Sequence, residues 1–192
     1  MATRNGINKS AVVRAAVQIA DAKGWDELTL AAVAAKLRIR SPSLYNHVGG
    51  LSALRREITL LAIQELGASL SRATIGKSRA DAVRGLATAY RAFVKRHPGI
   101  YAATMIAPMR GDRELRREGD EVIEICLSAL HGYGFGRRES IHAVRAMRSA
   151  VHGFVDLEIA GGFGIPIDVD KSFEWMVMAM LRGIESAPRK HA

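Results

Sequence analysis

Thr29-Leu30-Ala31-Ala32-Val33-Ala34-Ala35-Lys36-Leu37, then Arg38-Ile39-Arg40, then Ser41-Pro42-Ser43-Leu44-Tyr45-Asn46-His47-Val48 is the stretch on which the reading of this chain turns. Thr29 is a helix N-cap, and Val33, Ala34 and Leu37 recur at helical spacing behind it. Arg38-Ile39-Arg40 is a short basic turn. Ser41 as N-cap, ahead of Pro42 at the first helical position, starts a second short helix that runs to about Val48, where Gly49-Gly50 breaks it. Leu44 and Val48, four apart, join Ile39, Leu37 and Val33 on an inner face. Pro42, Ser43, Asn46 and His47 are left outward, with Tyr45 at the flank. Two short helices at a steep angle, the second carrying a small, hydrogen-bonding outer face, suit base edges and phosphates of a nucleic-acid groove.

Outward from this stretch, almost every segment repeats its apolar residues at three and four, and none shows a bounded two-residue alternation. The chain is expected to be all-α, with about nine helices. Helix 1 starts at Asn8, buries Val12, Ala16, Ile19 and Ala20, and stops at Gly24. A long helix covers 51–72, with Leu54, Ile58, Leu61 and Ala62 on one side, and 74–77 is a linker. Helix 5 starts after Ser78, carries Val83, Leu86, Ala87, Tyr90, Phe93 and Val94, and ends before Pro98. A short helix to about residue 107, helices over 113–131, 138–160 and 170–184, and glycine-rich turns at 132–136 and 161–166 complete the chain.

The 192 residues carry a formal charge of +9, with 48% hydrophobic content, enough for a packed interior. Residues 1–56 hold +6 of it, nine bases against Asp21, Asp26 and Glu27, so the polyanion contact belongs to the first third of the chain. Cys126 is the single cysteine, which excludes an intramolecular disulfide and a thiolate metal cluster, and fits an apolar filler in a cytoplasmic protein. No signal peptide or membrane span is legible. There is no phosphate-binding glycine loop, no His-x-x-x-His pair and no nucleophile motif, so neither an enzyme nor a cofactor or metal site is expected; the acids over 114–124 read as a solvated face.

The segment from Thr29 to Val48, above all Ser-Pro-Ser-Leu-Tyr-Asn-His-Val, closely resembles the DNA-binding domain of the tetracycline-repressor (TetR) family, over about residues 8–60. The resemblance implies a three-helix helix-turn-helix domain in residues 1–50 and a larger helical effector-binding and dimerisation domain in 51–192. It places Ser41, Pro42, Ser43 and Asn46 at base or methyl contacts, Tyr45 and His47 at the phosphate backbone, and Thr29 at a helix cap that also touches phosphate. Arg40 can reach a guanine edge. Two departures stand out. Arg38 occupies a turn position where the family has glycine. Leu51 occupies that of a phosphate-contacting lysine, so that the contact is either lost here or supplied by Arg55 or Arg56.

The same resemblance implies a homodimer on palindromic double-stranded operator DNA, released by a small hydrophobic effector. The effector region is implied around Leu61, Tyr90, Phe93, Tyr101, Met105 and Met109. Val151-His152-Gly153-Phe154 resembles a TetR-type C-terminal subfamily with a His-Gly pair. Helices 8 and 9 are apolar on more than one side, which points to Met147, Val151, Phe154, Trp175, Met176 and Met180 as a dimer face. The alternatives are a helix-turn-helix regulator without a small-molecule effector, and an activator in place of a repressor.

Overall fold

The computed structural model describes residues 7–105 and 111–187. Nine α-helices are found among them: α1 (Lys9–Lys23), α2 (Leu30–Leu37), α3 (Ser41–Leu44), α4 (Leu51–Thr74), α5 (Arg79–Arg96), α6 (Pro98–Thr104), α7 (Arg113–Leu130), α8 (Arg137–Ile159) and α9 (Val169–Ser186). A 3₁₀ turn, His131–Tyr133, joins α7 to α8, and no strand occurs among the described residues. The all-α expectation holds. None of these helices is long and apolar enough to cross a membrane.

The helix boundaries follow local chemistry. Asn8 caps α1, its side-chain oxygen accepting from the Ala11 amide at 2.9 Å, and Gly24 ends the helix at a φ of 100°, where an L side chain would be strained. Asp168 caps α9, accepting from the Asp170 amide at 2.9 Å. One expectation needs correction. Ser41 is not the cap of α3: Arg40 holds the cap position in extended conformation, Ser41 is already helical, and Pro42 lies within the first turn. Regular α-helix also stops at Leu44, and residues 45–47 continue as turn.

The chain folds as two compact units. The first takes the chain up to Gln64 together with His97–Leu115. Its core is built from Val12, Ala16 and Ile19 of α1, Leu28, Val33 of α2, Leu44, Leu54 and Ile58 of α4, and Ile100 of α6, all buried. α6 is docked on α1 by one carboxylate. Asp21 Oδ1 accepts from the amides of Gly99 and Ile100 at 3.1 and 3.0 Å, and its Oδ2 lies 2.9 Å from His97 Nδ1. These orphan amides of a helix start need an acceptor, and a carboxylate there is favoured by the helix dipole. The approach is so close that a Cβ on Gly99 would lie 1.9 Å from the carbonyl oxygen of Ala20.

The second unit takes Glu65–Arg96 and the chain from Arg116 onward. Its core joins Val83, Leu86, Ala87, Tyr90, Phe93 and Val94 of α5 to Met147, Val151 and Val155 of α8 and Phe173, Val177 and Leu181 of α9. A charged network ties the same three helices. Arg91 forms a bidentate pair with Glu158, at 2.8 and 2.6 Å, and reaches Asp170 at 2.7 Å. The Arg91 guanidinium also lies over the rings of Phe173, at 4.6 Å, and Phe154, at 5.7 Å. Arg91 and Glu158 are largely withdrawn from solvent, with side-chain exposures of 12% and 13%. Their hydrogen bond is the main reason the Glu158 carboxyl lies below its ordinary pKa, against an opposing push from burial. Such a pair is retained because each charge supplies what the other has lost in water.

Candidate nucleic-acid interface

The turn between α2 and α3 sets the angle at which the second helix is presented. The Arg38 amide donates to Ala35 O at 3.1 Å and the Ile39 amide to Ala34 O at 3.0 Å, the paired 5→2 and 6→1 bonds of a Schellman motif. That motif requires a left-handed residue. Arg38 provides it at φ 56°, ψ 42°, although glycine would adopt it without strain. Arginine at this position thus supports a complete Schellman turn.

On this frame the residues separate cleanly into anchor and presentation. Leu44 and Val48 are buried beneath α3, with Val33 and Ala34 of α2 beside them in the same core. Leu37 and Ile39 are half-buried. Arg40, Ser41, Pro42, Tyr45 and Asn46 are exposed, and Ser43 and His47 half-buried. Tyr45 is 63% exposed despite its aromatic ring, a placement that leaves phenol and ring edge available to a partner. Thr29 is exposed at the N-terminus of α2, its hydroxyl oxygen accepting from the Ala32 amide at 3.1 Å. The hydroxyl proton stays available for an external acceptor such as a phosphate oxygen. All eight residues belong to the first unit.

Arg55 and Arg56, neighbours near the start of α4, differ in a way the sequence did not reveal. Arg56 is held by acids of its own unit: Nε donates to Asp112 at 2.6 Å, and Nη2 donates to Asp112 at 2.9 Å and to Glu114 at 2.8 Å. The hydrogen bond to Asp112, then that to Glu114, raises the Arg56 pKa above its ordinary value, and Arg56 in turn lowers that of Asp112. The Arg56 guanidinium is thus engaged by acids of its own unit. Arg55 instead lies 5.6 Å over the Trp25 ring. The hydrogen-bond partners of Arg56 lie more than fifty residues downstream, beyond the reach of any local motif.

The residues expected near an effector are distributed as follows. Tyr90 and Phe93 lie on the buried face of α5 in the second unit; Tyr101 is buried, and Leu61 half-buried, in the first. Met105, at the end of α6, is exposed, and Met109 lies outside the described residues. Of the expected dimer face, Met147 and Val151 need correction. Both are turned into the core of their own unit, Val151 to 1% exposure, so neither can offer appreciable surface to a partner. Phe154 packs against Phe163 and Phe173 at 4.8 and 5.3 Å. Trp175 is 76% exposed, and Met176 and Met180 are half-buried. Cys126 is buried, and burial pushes its thiol up to about 11. No group of acids, histidines and cysteine suited to hold a metal ion occurs among the described residues.

Comparison with known proteins places this geometry. Residues 83–180 match the family model of the tetracyclin repressor-like C-terminal domain. An uncharacterized HTH-type transcriptional regulator of Mycobacterium tuberculosis is 36% identical over 180 residues, covering 93% of this chain and 82% of the relative. A Rhodococcus protein of unknown function has the same fold, with a TM-score of 0.80 at 19% identity over 94% of this chain and 97% of that one. A TetR variant from Acinetobacter baumannii, solved with minocycline, gives a TM-score of 0.68 at 20% identity, covering 97% of this chain and 100% of that one. With the helix-turn-helix in one unit and the family's C-terminal domain spanning most of the other, the chain belongs to the TetR family of transcriptional regulators and is not an enzyme.

Proposed function

We propose that this regulator is a cytoplasmic homodimer that represses transcription from a palindromic operator and is released by a small hydrophobic effector. The observation that carries the DNA-binding half is the surface of α3, its cap and the turn after it, where Arg40, Ser41, Pro42, Ser43, Tyr45, Asn46 and His47 stand over buried Leu44 and Val48. Ser41, Pro42, Ser43 and Asn46 read base edges, while Thr29, Tyr45 and His47 fix register on the backbone. Functionally, residues 1–50 bind DNA and residues 51–192 sense and dimerise.

The sensing half rests on the family fold, which in the Acinetobacter protein takes up minocycline. Within the second unit, Tyr90 and Phe93 on the buried face of α5 offer the apolar, adaptable side chains such a ligand needs. α4 runs continuously from one unit into the other, so a ligand that displaces it alters the spacing of two recognition helices set one DNA turn apart. Trp175, Met176 and Met180 of α9, with Phe154 of α8, form the isologous contact.

Calorimetric titration of an effector found by thermal-shift screening, with and without operator, tests the reading. Linkage requires operator to weaken effector binding by the factor by which effector weakens operator binding. Equal effector affinities in the two titrations contradict release by this effector.

A further inference from the structure

Among the described lysines and arginines of the first unit, only Arg55 and Arg56 are withdrawn from full exposure. Arg56 has its charge met by Asp112 and Glu114, with Glu57 at 3.9 Å. Among the described residues Arg55 has no carboxylate partner, and its Nε is buried without a hydrogen-bond acceptor. It is instead seated 5.6 Å over the indole of Trp25, within the range where a ring face attracts a cation. A guanidinium that has given up water on one edge, and gained only a ring face in return, lacks an anion. Lys9 is paired with Glu57 at 2.7 Å, so the acid nearest in sequence to Arg55 and Arg56 is also occupied.

The position of Arg55 says where that anion comes from. Side chains on a helix lean toward its N-terminus, so Arg55 covers the first turn of α4, next to the Gly49-Gly50 junction that follows α3. Trp25 belongs to the turn leading into Thr29 and α2. The pair therefore joins the start of α4 to the turn that leads into Thr29, a backbone-contacting residue in the proposed function.

We infer that Arg55 is a phosphate-contacting residue for duplex DNA and that Trp25 is its positioning residue, holding the guanidinium flat and its unbonded N–H groups in place before DNA arrives. The inference rests on the DNA-binding reading above. It assigns the phosphate contact to Arg55 and denies it to Arg56, and it adds Trp25, which that reading does not use.

The test is the salt dependence of duplex binding by the full chain, between about 50 and 200 mM salt. Each phosphate contact adds about 0.9 to the log–log slope. Arg55→Gln is expected to lower the slope by about 0.9 per protomer and to weaken specific and scrambled duplexes by the same factor. Arg55→Lys keeps the charge and retains the slope. Trp25→Leu weakens both duplexes alike with the slope little changed, and Trp25→Phe restores affinity. A slope for Arg55→Gln equal to the parent's overturns the inference while leaving DNA binding intact; a parent that binds no duplex overturns both. A measurement on the unaltered chain covers the case in which Arg55→Gln does not fold. The Arg55 Nε–H resonance shifts on saturation with duplex and returns as salt is raised, and a resonance that does not move overturns the assignment.

Discussion

Arg38 shows how one residue can carry a cost that the rest of the turn absorbs. Its left-handed backbone satisfies two carbonyls of α2 and aims α3, and a non-glycine residue there costs about 1 kcal/mol. Arg38→Gly is expected to stabilise the first unit by up to about 1 kcal/mol in urea unfolding, with the operator profile unchanged. In the proposed function the exposed side chains of α3 and the turn after it divide by role. Tyr45→Phe should weaken binding evenly across sequences, because a phosphate hydrogen bond carries no base information. Asn46→Ala should relax one base pair by about 1–3 kcal/mol. Selection from random DNA distinguishes the two, and an unaltered profile for Asn46→Ala removes it from the base-reading set. Thr29, Leu44 and Val48 were legible because capping and helical spacing are local signals. The pairing of Arg56 with Asp112 was not, because nothing near either residue announces the other.

At the scale of elements, the informative contacts are those that bind helices distant in sequence. Gly99 lets α6 rest on α1, where Asp21 caps it. Gly99→Ala forces a methyl into the carbonyl of Ala20 and should cost about 3 kcal/mol or unseat α6, read as lost protection of the Gly99 and Ile100 amides in hydrogen exchange. In the second unit the Arg91–Glu158 pair joins α5 to α8. Glu158→Gln leaves a largely buried guanidinium short of a charge and should cost about 3–5 kcal/mol. The pH dependence has a fixed sign. The Glu158 carboxyl is held below its ordinary value in the fold, so its contribution is complete above the unfolded carboxyl range and fades as pH falls through the lower, folded value. The parent should therefore lose stability on acidification through that window, and Glu158→Gln should show a shallower decline. Nine helices and most of their ends were readable from apolar spacing, glycines and prolines. The inward turn of Met147 and Val151 was not, because a helix apolar on several sides does not declare which side meets its own core.

For the whole molecule, the question is how two compact units answer DNA and ligand together. The positive charge gathered in residues 1–56 draws the first unit to a polyanion. In the proposed homodimer the exposed Trp175 is the aromatic anchor of the second unit. Trp175→Arg should shift the species seen by analytical ultracentrifugation toward monomer and weaken operator binding, since half a dimer holds half a palindrome. A variant that stays dimeric moves the interface elsewhere. Family membership was legible from residues 29–48, whereas effector and operator sequence depend on shape and partner that no short motif encodes.

The central claim is sequence-specific DNA binding through α3, and fluorescence anisotropy of labelled duplexes tests it most directly. The upstream region of the chain's own gene and a scrambled duplex of equal length are titrated across about 50–200 mM salt. The account predicts binding to the first that is at least about 10³-fold tighter, with both affinities falling as salt rises. A near-zero salt slope for both duplexes, or specific binding that survives Asn46→Ala together with Tyr45→Phe undiminished, would contradict it.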